Sequence, residues 1–234
     1  MNARLVKTAL RNSANTTKAA VLQRFFKTGK GEYGQGDVFL GVAVPLQRKI
    51  ARQYVDLPLE EVKKLLISNI HEYRMTALLI LVYKNKQSDG ANQKKIFNFY
   101  VAHTKWINNW DLVDVTCRDI VGGYLFDSNR TILYTFARSR NVWKRRIAIV
   151  STWYFIRQHQ YQDTCDIAEI LLRDDHPLIH KAVGWMLREL SKYGGQQVLD
   201  QFLEKNARSM PRTMLRYAIE LLEEKKRKSY LTRR

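Results

Sequence analysis

Four stretches of this chain repeat one local pattern, an apolar helical run carrying a cation at a matching place. His71-Glu72-Tyr73-Arg74-Met75-Thr76-Ala77 corresponds to Val142-Trp143-Lys144-Arg145-Arg146-Ile147-Ala148. Both correspond to Leu178-Ile179-His180-Lys181-Ala182-Val183 and to Met214-Leu215-Arg216-Tyr217-Ala218. Anchored on Arg74, Arg146, Lys181 and Arg216, the separations are 72, 35 and 35 residues. The double spacing puts a missing anchor near position 110, where a helix opens at Trp110. A period of about 35 residues in helix pairs marks an α-solenoid of the HEAT or armadillo kind. The expectation is an all-α fold, a HEAT-like α-solenoid of stacked antiparallel helix pairs. Its second helices would line a basic concave face to which each repeat adds a cation.

The helix pairs are predicted over 58–68, 72–86, 91–104, 110–125, 129–138, 142–158, 163–173, 177–193, 196–206 and 211–227. Pro58 with Glu60 and Glu61, and Pro177 after His176, read as first-turn signals. Asn108 or Asn109 caps the helix at Trp110, with Asp111 at the positive end of its dipole. With only 4 Pro and 11 Gly, and no strand-like alternation, nothing argues for a sheet. The whole chain, 1–234, is expected to be one domain. Residues 1–56 would form N-terminal basic helices and a loop, 57–227 the helix-pair repeats, and 228–234 a basic tail. The acid-free N-terminus has the composition of a transit peptide. It reads instead as two amphipathic helices, one with Leu5, Ala9 and Leu10 on a face, the other with Ala19, Leu22, Gln23 and Phe26.

The formal net charge is +18, and its distribution matters. Residues 1–30 carry seven Lys/Arg and 225–234 carry six, neither stretch with an acid, leaving 27 bases against 22 acids between them. Even there, Ser128 to Gln162 holds seven Lys/Arg and no Asp or Glu. A cationic field in the body of a chain calls for a polyanion, because each neutralised phosphate releases condensed counterions. Nucleic acid is the expected partner, rather than a membrane surface. No apolar stretch approaches the length of a bilayer span. Cys117 and Cys165 form neither a disulfide framework nor a zinc pair, which suits a reducing cytosol. His176 and His180 stand four apart, but Pro177 places the first at a helix cap, so no metal pair is expected.

Chemistry concentrates in Trp106-Ile107-Asn108-Asn109-Trp110-Asp111-Leu112-Val113-Asp114. Asp114 stands four residues after Trp110, about 40° round the helix, beside the indole at the edge of the buried face. A plain i,i+4 pair with Arg118 is the bland alternative. Neighbouring repeats add Trp185, next to Gly184, and Arg146. Two indoles, a carboxylate and a guanidinium suit flat bases, sugars and phosphate. A lone carboxylate there suits stabilisation of an oxocarbenium-like sugar, as in glycoside hydrolysis.

Over nearly its whole length the chain resembles the AlkD-type alkylpurine DNA glycosylases, HEAT-like repeat proteins of DNA alkylation repair. The resemblance lies in Phe39-Leu40-Gly41-Val42 followed by Pro45 and Arg48, and in Trp110-Asp111-Leu112-Val113-Asp114. It continues in Trp143 with Arg146 and in Gly184-Trp185 through Leu187-Arg188-Glu189. It implies a catalytic Asp114, lesion-facing Trp110 and Trp185, and Arg146 on the DNA, with Phe25 where the family has a tyrosine. It also implies excision of cationic N3- and N7-alkylated purines from duplex DNA, without base flipping, and with no metal or cofactor. The expected DNA contacts are Arg146, Phe25, Arg74, Lys181, Arg188, Arg216 and Arg48. The expected state is a monomer acting in the cytoplasm at the nucleoid. A catalytically silent repeat protein that binds damaged or branched DNA is the alternative, and a protein-binding scaffold suits the basic groove poorly.

Overall fold

The computed structural model describes residues 1–232. Apart from one isolated parallel bridge between Val38 and Ile70, the described residues are helix and loop, so the fold is all-α. The chain divides into two compact units, the first ending at Thr116 and the second beginning at Cys117. No described helix is long and apolar enough to cross a membrane.

The first unit contains α1 (Ala3–Arg11), α2 (Thr16–Phe25), α3 (Val44–Gln53), α4 (Leu59–Leu66), α5 (His71–Lys86), α6 (Gly90–Ala102) and α7 (Trp110–Asp114). Its centre is α5, against which α1, α3, α4, α6 and α7 all pack. Every residue from His71 to Val82 is buried, as expected of a helix enclosed on all sides rather than one with a solvent face. The N-terminal helices form as expected. On α1 the buried face is Ala3, Val6 and Leu10, while Leu5 is exposed. The anticipated face of α2 holds, with Ala19, Leu22 and Gln23 half-buried and Phe26 buried.

Sequence reading left 44–53 inside a loop, whereas α3 occupies it. Pro45 sits in its first turn, where a missing N–H costs nothing. Ile50 and Ala51 then turn towards α5. Gly41 has φ +80, and a Cβ there would lie 2.1 Å from the Asn15 carbonyl oxygen, so the backbone passes directly over the start of α2. The Glu72 carboxylate ties this passage to α5. It accepts the backbone N–H groups of Leu40 (2.9 Å), Gly41 (2.8 Å) and Val42 (3.2 Å).

The second unit begins with a π-helical turn at Arg118–Gly122 and α8 (Gly123–Leu125). It continues through α9 (Thr131–Ala137), α10 (Val142–Ser151), α11 (Trp153–Arg157), α12 (Gln162–Ile170), α13 (Pro177–Lys192), α14 (Gln196–Asn206), α15 (Arg212–Ala218) and α16 (Glu224–Thr232). Second helices pack in series, α10 on α13 and α13 on α15. First helices flank them, α9 on α10, and α12 and α14 on α13. Gly184 permits the close approach of α13 and α15, since a Cβ would lie 2.5 Å from both the Met214 carbonyl oxygen and the Tyr217 Cβ.

Three expected helices are interrupted. The run 142–158 divides at Thr152 into α10 and α11. The run 110–125 breaks after Asp114, where Thr116 donates to the Leu112 carbonyl (2.6 Å) and so competes with the helical ladder. The run 211–227 breaks into α15 and α16. Glu223 and Glu224 lie at the start of α16, where a helix dipole favours acids, and the basic run follows. The predicted basic tail at 228–234 is helical as far as Thr232. Tyr230 is buried there and donates to Glu204 (2.9 Å) on α14. Arg233 and Arg234 lie outside the described residues.

Candidate functional site

The start of α7 is built on a buried polar network. Asn109 caps the helix, its Oδ1 accepting from the Trp110 N–H (2.8 Å). His71, first residue of α5, stands between two carboxylates, its Nδ1 2.9 Å from Asp37 Oδ2 and its Nε2 2.9 Å from Asp111 Oδ2. The other Asp37 oxygen accepts from Arg74 Nη2 (2.7 Å), and Arg74 Nη1 reaches the Ser68 carbonyl (2.9 Å). The Val38–Ile70 bridge brings Asp37 to this place, with Val38 N–H on the Asn69 carbonyl and His71 N–H on that of Val38. Burial by itself pushes the His71 pKa down, but Asp111 and Asp37 outweigh it and the net shift is upward. Burial likewise pushes Asp37 up, while His71 and Arg74 bring it below its ordinary range. The network thus pairs a buried histidine and a buried arginine with two carboxylates.

An aromatic stack rests on it. Phe39 lies on the His71 ring (4.5 Å), Phe26 on Phe39 (5.0 Å), and Trp110 on Phe26 (5.3 Å, 18° between planes). Phe25 meets Trp110 edge-on at 6.1 Å and is 61% exposed. The half-buried Tyr33, missed in the sequence, joins this cluster through a hydrogen bond with the Trp110 indole. Burial, as the largest cause, raises the Tyr33 pKa. Asp114, on the last turn of α7, is half-buried.

Two acids on one short helix therefore have different surroundings. Asp111 stands in the first turn of α7, as its dipole reading requires, and does more there. It is 9% exposed, bonded to His71 and to the Leu112 N–H (2.8 Å). Arg74 departs from the recurrent pattern. It is 2% exposed and paired with Asp37, so it is an internal cation rather than a groove-facing one. Arg48, on α3, is half-buried.

In the second unit Arg146 is 5% exposed and donates to the Leu178 carbonyl (2.6 Å), joining α10 to the first turn of α13. Its equivalents Lys181 and Arg216 are exposed. Arg188 is half-buried and pairs with Glu189 (3.2 Å) and Glu220 (2.5 Å). Trp185 is half-buried, donates its indole N–H to Glu189 Oε1 (3.1 Å) and meets Trp153 edge-to-face at 5.1 Å. Arg118 does not stand as a simple surface partner. It is held bidentately by Asp119 at 2.7 and 3.1 Å and lies over the Trp153 ring. His176 caps α13 by accepting from the Leu178 N–H (3.1 Å), and His180 bonds the Asp174 carbonyl. Among the described residues, no group of three or more His, Cys, Asp or Glu could hold a metal ion.

Comparison with known proteins bears on this arrangement in three ways. No curated protein matches the chain. A solved structure described as a predicted DNA alkylation repair enzyme from Enterococcus faecalis shares the fold, with a TM-score of 0.71 and 18% identity, over 91% of this chain and 98% of that one. The family model for DNA alkylation repair enzymes matches residues 6–222. That match spans both units, and the chain belongs to the DNA alkylation repair enzyme family, with a role in the repair of alkylated DNA.

Proposed function

We propose that the chain is a DNA glycosylase that hydrolyses the N-glycosidic bond of N3- and N7-alkylated purines in duplex DNA. The observation that carries this reading is the place of Asp114 on α7. It is half-buried one turn beyond Trp110, an indole stacked on Phe26. A purine alkylated at N3 or N7 is already cationic. The bond from its N9 to C1′ breaks with the electron pair going to the base, which leaves neutral and needs no acid. The sugar becomes oxocarbenium-like, and the Asp114 carboxylate stabilises that charge and positions the water that adds at C1′. Loss of a proton from the added water completes an abasic site.

One face of Trp110 is already covered by Phe26, so a base cannot be sandwiched on that side. This favours action on a base left in the stack over extrusion into a pocket. Phe25 presents a bare ring to DNA beside Trp110, and Trp185 offers a second indole. Lys181 and Arg216 are the exposed cations of the recurrent pattern and are assigned to phosphates, with Arg48 and Arg188 as half-buried contributors. Arg74 is left out because it is inside the fold.

The test is incubation with a duplex containing N7-methylguanine, scoring free base. Release above the spontaneous rate, abolished or strongly reduced in Asp114→Asn, supports the assignment. Tight binding of the duplex without release identifies a catalytically silent DNA-binding protein instead.

A further inference from the structure

Trp185 is held by an arrangement that begins at Arg118, at the start of the second unit's sequence. Its ring is fixed at two places. The indole N–H donates along its own helix to Glu189, a carboxylate whose side chain is 2% exposed. The ring itself meets Trp153 at 5.1 Å and 63°, the edge-to-face geometry that aromatic quadrupoles favour. Trp153 is in turn covered by Arg118, whose guanidinium carbon lies 4.8 Å from the ring centroid. Arg118 is kept there by the bidentate hold of Asp119, with donors at 2.7 and 3.1 Å. The Trp153 Nε1 is buried and meets no acceptor among the described residues. A buried N–H without a partner is costly, so what this residue contributes is its flat ring.

We infer that Trp153, capped by Arg118, is a positioning residue for Trp185. A tryptophan turns about two side-chain bonds. The hydrogen bond to Glu189 fixes where one edge of the indole lies but leaves the tilt of its plane adjustable. The Trp153 ring fixes that tilt, and the Arg118 cation prevents Trp153 from rotating away. Glu189 also accepts from Arg188 at 3.2 Å on the same oxygen and faces Lys192 at 3.7 Å on the other, so both supports of Trp185 are themselves supported. The consequence for function rests on the glycosylase reading, in which Trp185 touches the DNA. The positioning itself does not.

The experiment therefore reads both. The protein is labelled with 5-fluorotryptophan, which gives a fluorine resonance for each of its five tryptophans. The Trp185 resonance is identified by its loss in Trp185→Phe. Trp153→Ala should broaden and shift that resonance, and Trp153→Phe should largely restore it. Base release at saturating N7-methylguanine duplex should fall about tenfold in Trp153→Ala, with the duplex concentration at half-maximal rate little changed, and recover in Trp153→Phe. If Trp153→Ala does not fold, Arg118→Gln decides, because it uncaps Trp153 and leaves its ring in place. A Trp185 resonance unmoved by whichever of these variants folds overturns the inference. Absence of base release from the wild type overturns the glycosylase reading alone, since the resonance still reports whether Trp153 positions Trp185.

Discussion

Replacing Asp111 by Asn isolates the charge that joins α7 to α5. The substitution keeps the size of the side chain and an oxygen able to accept from the Leu112 N–H. It removes the anionic partner of His71 Nε2 at 2.9 Å, in a place where Asp111 is 9% exposed and His71 is buried. If His71 stayed charged, leaving it one short of a buried partner would cost about 3–5 kcal/mol. His71 can instead release its proton, which limits the loss to that of a charge-assisted hydrogen bond, about 1.5–3 kcal/mol. The expectation is thus about 2–3 kcal/mol, or roughly 4–12 °C in Tm for a chain of this size. Urea unfolding followed by helical circular dichroism measures it.

The pH dependence supplies a second reading of the same substitution. The His71 pKa is raised in the fold, so its contribution is complete below the ordinary value of 6.5 and is lost as pH rises through the folded value. Asp37 is lowered, so its contribution is complete above 3.8 and is lost as pH falls through the folded value. Wild-type stability should therefore decline on both sides of a mildly acidic plateau. Asp111→Asn should lower the plateau and flatten the alkaline decline. A loss below about 1 kcal/mol together with an unchanged alkaline limb would refute a stabilising His71–Asp111 pair.

Asp114→Asn should leave unfolding within about 1 kcal/mol of wild type while lowering excision roughly ten- to a thousandfold, checked by single-turnover release of N7-methylguanine. Equal excision by Asp111→Asn and Asp114→Asn variants that remain folded would remove Asp114 from its assigned role. Gly184→Ala should cost about 1–3 kcal/mol by forcing α13 and α15 apart, seen in urea unfolding, because its Cβ would meet the Met214 carbonyl at 2.5 Å. Duplex affinity should fall steeply with salt, and Lys181→Ala should reduce the slope of log affinity against log salt by about one, measured by fluorescence anisotropy.

Local signals carried most of the secondary structure. Pro177 after His176, Asn109 before Trp110, and the acids after Pro58 each stand at a helix start as their chemistry requires. What was hidden depends on partners distant in sequence. Arg74 looked like its equivalents at 181 and 216, yet it meets Asp37, 37 residues earlier, and is inside. Asp111 looked like a first-turn acid serving the helix dipole, yet its partner is 40 residues earlier. Periodicity reports which face of a helix is apolar and is silent about a buried charge that finds its counter-charge elsewhere. The interruption after Asp114 was obscured in a similar way. Thr116 fits a helical pattern, and only its bond back to Leu112, reinforced by Tyr100 at 2.9 Å, shows the break. Around Trp110 the sequence exposed the tryptophan and the carboxylate but not Tyr33, which comes from a glycine-punctuated loop with no periodic signal.

The Glu72 carboxylate makes the N-terminal arm answerable to a helix far along the chain. Three consecutive amides, at 40, 41 and 42, share one acceptor from α5. The same passage holds the start of α2, with Asn15 N–H on the Leu40 carbonyl at 2.8 Å. In native-state hydrogen exchange the Gly41 and Val42 amides, which share Glu72 Oε1, are expected to open together when the Glu72 side chain withdraws. Opening that set also loosens the segment on which Phe25 and Phe26 are carried. Phe25, assigned to the DNA contact in the proposed function, is thus expected to open together with the buried helix α5. An arm attached in this way does not fluctuate without disturbing the core, so the exposed Phe25 ring keeps a constant place beside Trp110.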